Sequence, residues 1–125
     1  MADIETSQYP WYFMLMNKQL YGKNTEITDP LKVYIEERLD HLEHMNSEIM
    51  AARVDISRDQ HHKKGDIFRV EINLNLPGKL LRVVETRPDA REAVDLVHDR
   101  LSRQLRDLKN KKLFLRRLGN IFKRS

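Results

Sequence analysis

The sequence predicts an α+β fold: a single β-α-β-β-β-α domain whose four-stranded mixed sheet carries two helices packed on one face. Three observations predict it. Two stretches place apolar residues at helical spacing, Leu31, Tyr34, Ile35, Leu39, Leu42 and Met45 in the first and Ala90, Val94, Val97, Leu101, Leu105 and Leu108 in the second. Between them, apolar and polar residues alternate, as in strands with one covered and one polar face. The stretches are separated by short clusters of Pro, Gly, Asp and Asn. One sheet covered on one side by both helices is the simplest arrangement that buries every apolar face at once.

In chain order, residues 1–11 read as a flexible, weakly acidic extension ahead of a domain over residues 12–112. Aromatic enrichment bounded by Pro10 and Gly22 predicts a first strand from Tyr12 to Tyr21. Lys18 shares a face with Met16 and Leu20, so this strand belongs at or near an edge. The Trp11–Met16 cluster reads as core or edge packing, or else as a partner-binding lead. Thr28, Asp29 and Pro30 supply a capping hydroxyl, an acidic first turn and a proline whose missing N–H costs nothing there, so a helix runs from this point to about His44. Ala52, Val54 and Ile56 form the inward set of a second strand, and Phe68, Val70, Ile72, Leu74 and Leu76 that of a third. The polar RDQHHKKGD between them is a hairpin loop. Pro77 and Gly78 suit the centre of a type II turn. It leads into a fourth strand, Lys79–Thr86, with Leu81 and Val83 inward and Leu80 and Val84 on the polar face. Asp89 caps the last helix, with Glu92 placed to complete a capping box. The first connection is a right-handed crossover between parallel strands and the others are antiparallel hairpins.

The apolar period of the last helix holds to Leu108, and Lys112 falls where a core residue is due, so the helix ends or leaves the body there. Residues 113–125 form a basic tail with Phe114, Leu115, Leu118, Ile121 and Phe122 on one helical side, interrupted by Gly119. A frayed or disordered tail and a tail docked on a partner helix, a second protomer or an anionic membrane surface are both open.

Composition bounds the function. At 40% hydrophobic and 34% charged, the chain reads as a soluble domain with more charge than usual. It has no signal-like start and no run long enough to cross a bilayer, so it is expected in the cytoplasm, with no membrane partner expected. With no cysteine there are no disulfides, thiol nucleophiles or thiolate metal sites. The net charge of +4 is polarised: residues 1–98 hold 13 Lys and Arg against 17 Asp and Glu, whereas residues 99–125 hold 10 against 2. Such segregation is the footprint of phosphate binding. On the last helix Arg103, Arg106 and Asn110 lie opposite the apolar stripe, with Arg100, Lys109 and Lys111 on its flanks and Lys112 at its end.

No catalytic constellation is present. No carboxylate pair sits in an apolar context, and there is no Gly-rich phosphate loop, nucleophile elbow or zinc-binding helix motif. His41 and His44 stand three apart on the first helix and His61 and His62 are adjacent in the hairpin loop, but neither pair gains by spacing the three or four ligands zinc requires. No metal or cofactor, no enzymatic activity and no small-molecule substrate are therefore expected. Protonation of His41 and His44 would add positive charge near the basic face.

Three segments, LYGKNTEITDPLKVYIEERLDHLE, the strand pair with its LPGKL turn, and DAREAVDLVHDRLSRQLRDLKNK, resemble the short ribosome hibernation-promoting factors and ribosome-associated inhibitors of bacteria, over about residues 17–111. The resemblance implies a fold like that of double-stranded-RNA-binding domains. It also implies binding to ribosomal RNA of the small subunit between head and body, which blocks the messenger and transfer RNA channel in stress or stationary phase. By position, Arg100, Arg103 and Lys111 match basic residues of the family's last helix, and Lys32 and Arg38 those of its first. With Arg106, Lys109, Lys112, His41 and His44 they make up the expected RNA-binding set. Asp107, His41 and His44 stand where relatives commonly have lysine, and Arg91 where they have an aromatic residue. A basic amphipathic tail replaces the acidic tail of the inhibitors and the dimerisation domain of the long forms, and a tail-mediated protein contact is a further expectation. A non-ribosomal regulatory domain that binds a partner protein is the rival reading.

Overall fold

The computed structural model describes residues 16–60 and 65–124, with side chains to residue 121. The element order is β1 (Asn17–Lys23), α1 (Asp29–Met45), β2 (Ala51–Asp59), β3 (Ile67–Leu76), β4 (Lys79–Arg87) and α2 (Ala90–Arg124). The sheet order is β1-β2-β3-β4, with β1 parallel to β2 and the remaining pairs antiparallel. This is the α+β architecture the alternating and helical periods predict. The early part of the expected first strand, Tyr12 to Leu15, lies outside the described residues, as do His61 and His62.

Register explains why one face of the sheet is dry. Ala52 pairs with Leu74 and Leu74 with Leu81, while Val54 pairs with Ile72 and Ile72 with Val83. These rows and the row of Ile56 and Val70 point the same way, and all of their side chains are buried. Onto them fold Ile35, Leu39 and Leu42 of α1 and Ala93, Val94, Val97, Leu101 and Leu105 of α2. α2 packs over β3 and β4, with α1 beside it. The edge position of β1 lets Lys18 sit half-buried and pair with Asp40, while the backbone N–H of Met16 donates to Glu43, so α1 is tied to the sheet edge. Leu80 is exposed and Val84 half-buried on the other face, as the strand alternation requires.

The turns form for local reasons. Thr28 Oγ1 accepts from the N–H of Leu31 at 3.4 Å, and Pro30 occupies the first turn of α1. Gly78, at φ +70°, takes the left-handed conformation that the second central residue of a type II turn needs. At Gly22 a Cβ would lie 2.6 Å from the carbonyl oxygen of Thr25, so the close return of the chain after β1 admits no side chain. Asp89 Oδ1 caps α2 by accepting from the N–H of Arg91 at 3.4 Å, but Glu92 pairs with Arg87 at 3.5 Å instead of closing a capping box.

At its far end α2 takes one of the two courses the sequence leaves open. Its side chains are exposed from Lys109 through Arg117, so it leaves the body after Leu108, yet it continues as one helix of 35 residues through Gly119. A single glycine costs a helix about 1 kcal/mol, too little to break one already propagating from a packed first half.

Candidate nucleic-acid interface

Where the cations sit matters less than what surrounds them. On the open sheet face Arg53 pairs with Asp55 at 3.0 Å and stacks over Tyr21 at 4.6 Å. Glu71, at the middle of that face, accepts from Asn73 at 2.9 Å, Arg82 at 2.9 Å and Arg69 at 3.0 Å. Led by the Asn73 bond, these donors outweigh partial burial and hold the Glu71 carboxyl below its ordinary pKa. The sheet face neutralises its own charge.

α1 likewise faces solvent with little free positive charge. It carries Asp29, Glu36, Glu37, Asp40 and Glu43 against Lys32 and Arg38. Lys32 lies 4.0 Å from Glu36. Arg38 turns toward α2, where its Nε donates to Asp95 at 3.0 Å and its Nη2 to the Tyr34 hydroxyl at 3.0 Å, while its guanidinium stacks on the Tyr34 ring at 4.7 Å. The Tyr34 hydroxyl also donates to Asp95, and Arg91 stacks over the same ring at 5.2 Å. Arg91 thus seats a second cation on the Tyr34 ring. The Asp95 bond, assisted by burial, raises the Tyr34 pKa; burial alone would raise that of Asp95, but the bonds from Tyr34 and Arg38 hold it down.

The histidines divide differently from their spacing. His41 Nδ1 lies 2.8 Å from Nε2 of His98 on α2, and His98 Nδ1 lies 3.2 Å from Asp99. His44 Nδ1 instead donates to the carbonyl of Asp40 at 2.8 Å. Burial, more than the Asp99 bond opposes it, depresses the His98 pKa. Sequence reasoning passed over His98 because a lone histidine on a helix flank carries no pattern, and its neighbour His41 is 57 residues away in the chain. Among the described residues no three His, Asp or Glu side chains converge as metal ligands would.

α2 is the exception to this compensation. Arg100 pairs with Glu85 at 2.8 Å and donates to the Val84 carbonyl, and Lys112 pairs with Glu48 at 2.7 Å. Arg103, Arg106, Lys109 and Lys111 are exposed and have no ion pair among the described residues. Of the ten residues expected to meet RNA, six lie on α2, four of these unpaired, whereas Lys32, Arg38, His41 and His44 lie on an acidic helix and already have partners. Four free cations on one rigid rod can neutralise phosphates without desolvating any internal pair.

Comparison with known proteins agrees with this fold. The family described as Sigma 54 modulation protein / S30EA ribosomal protein matches residues 19–113. The chain is 37% identical over 101 residues to a ribosome hibernation promotion factor of Deinococcus radiodurans, covering 81% of this chain and 53% of that protein. It is 27% identical over 93 residues to the Staphylococcus aureus factor of the same name, covering 74% and 48%. The chain therefore spans about half the length of the curated relatives it matches. The N-terminal domain of Thermus thermophilus Protein Y superposes with a TM-score of 0.64 at 34% identity, covering 75% of this chain and 99% of that one. A ribosomal subunit interface protein from Coxiella burnetii shares the fold, with a TM-score of 0.67 at 23% identity and coverage of 76% and 99%. On the family match, with its agreement in fold, the chain belongs to the Sigma 54 modulation protein / S30EA ribosomal protein family.

Proposed function

We propose that this chain is a non-enzymatic ribosome hibernation factor of the cytoplasm. In this reading it binds the small subunit through ribosomal RNA, in the decoding region, and silences translation in stress or stationary phase by excluding messenger and transfer RNA. The observation that carries it is the uncompensated charge of Arg103, Arg106, Lys109 and Lys111, in a domain whose other cations are mostly paired. The names of the Deinococcus and Staphylococcus relatives support it, as does the fold shared with Protein Y. Phosphate contacts position a protein without reading sequence, and occlusion needs only that the rigid body occupy the channel. Arg100 and Lys112 flank this contact. Lys32, Arg38, His41 and His44 take a secondary part: Arg38, His41 and His44 would exchange a bond inside the protein for one to RNA, and Lys32 stands beside Glu36 on an acidic helix.

Sedimentation of the chain with purified ribosomes and separated subunits through sucrose tests this reading. The expected result is migration with small subunits, lost when Arg103, Arg106 and Lys109 are changed together to Glu. Confinement of the wild-type chain to the top of the gradient, or co-migration unaffected by the triple change, contradicts it and favours a domain that binds a partner protein.

A further inference from the structure

The last turns of α2 carry a feature that phosphate binding does not use. Phe114 is 61% exposed, Leu115 55% and Ile121 62%, and with half-buried Leu118 they line one side of the helix beyond the packed body. The stripe begins where the family match ends, at residue 113. From Leu108 to the last residue there are seven Lys and Arg and not one Asp or Glu. We propose that residues 109–124 are a peripheral docking helix for an anionic lipid surface, with the Phe114–Ile121 stripe seated among acyl chains and the basic residues at the phosphate headgroups.

Charge complementarity selects this occupant. RNA phosphates would satisfy the cations but offer nothing to the four apolar side chains. A second copy is a poor match: two tails side by side set seven cations against seven, and the acidic outer face of α1 exposes only Val33 as a large apolar residue. An anionic bilayer surface presents both chemistries at the right depths, and a helix with a basic side and an apolar side lies in that interface plane. The helix is too polar to cross a membrane, so the docking is peripheral, and the expectation of no membrane partner, drawn from the lack of a spanning segment, does not bear on it. The proposal shares Lys109, Lys111 and Lys112 with the proposed ribosome contact but rests on the Phe114–Ile121 stripe, which contact with RNA phosphates does not use.

The test is flotation of the full chain with vesicles of phosphatidylcholine containing about one third phosphatidylglycerol, and with vesicles of phosphatidylcholine alone, alongside ribosome sedimentation of the same preparations. The expected result is flotation with the anionic vesicles only, weakened at least roughly tenfold by Phe114→Gln with Ile121→Gln. Both side chains lie outside the core, so the variant keeps its fold and thermal stability by circular dichroism and still sediments with ribosomes. No flotation, equal flotation with neutral vesicles, or flotation unmoved by the double change overturns the proposal. So does a concentration-dependent dimer, formed without lipid, that the double change abolishes.

Discussion

α1 and α2 lie side by side on the same face of the sheet, and their inner sides are alike: Ile35, Leu39 and Leu42 in one, and Val94, Val97, Leu101 and Leu105 in the other, are all at or below 2% exposure. Their outer sides are opposite. α1 turns out carboxylates, and its two cations lie beside Glu36 and Asp95; the outer side of α2 carries Arg103, Arg106, Lys109 and Lys111, which no carboxylate among the described residues restrains. Helices with equal claims on the core thus have unequal claims on a polyanion. A count of basic residues along the chain treats Arg38 and Arg106 as equivalent, whereas an ion already bonded to Asp95 must give up that bond before it gains from a phosphate.

Four variants probe this difference. The largest effect belongs to α2: Arg103→Glu, Arg106→Glu and Lys109→Glu together should weaken binding to small subunits by roughly a hundredfold or more at moderate salt, measured by co-sedimentation, with thermal stability unchanged. Next is the seam between the helices. Asp95→Ala removes the acceptor shared by Tyr34 and Arg38 and should cost about 1 kcal/mol in urea unfolding, the usual value of a charged hydrogen bond reduced for partial exposure. It should also free Arg38; if ribosome affinity then rises severalfold, the restraint on α1 is electrostatic as described.

A third probe is pH. The His98 pKa lies below the 6.5 of an unconstrained histidine, so the unfolded chain takes up a proton first as pH falls. The stability that neutral His98 contributes is complete above about pH 7, is lost as pH falls through the folded pKa, and does not fall further below it. His98→Gln should flatten this dependence in chemical denaturation between about pH 7 and 5. A variant whose stability still declines over that interval would place the titration elsewhere. The smallest effect is expected from Glu36→Gln with Glu37→Gln, which removes repulsion from the outer side of α1 and should change ribosome affinity less than about threefold.

How much of this was legible follows from what each residue signals. The strands and both core stripes were readable because Val, Ile and Leu recur at periods of two and 3.6. Ala93 and Ser102, both buried in the α2 interface, escaped because small residues carry almost no hydrophobic signal. The continuation of α2 through Gly119 was left open by the sequence, because the low helix propensity of one glycine does not decide the course of a helix already nucleated on the body. At the candidate interface, residue types and their helix were readable, and the charge segregation pointed to α2. Which cations were free was not, since the partners of Arg38, Arg100 and Lys112 are Asp95, Glu85 and Glu48, brought close by tertiary packing alone. The His41–His98 contact has the same origin.

The most direct measurement is the salt dependence of affinity for purified small subunits. Four free cations on phosphates predict that the logarithm of the association constant falls with the logarithm of salt concentration with a slope of about −3, and that reversing Arg103, Arg106 and Lys109 removes most of it. A slope near zero, or one the triple reversal leaves unchanged, would contradict the account.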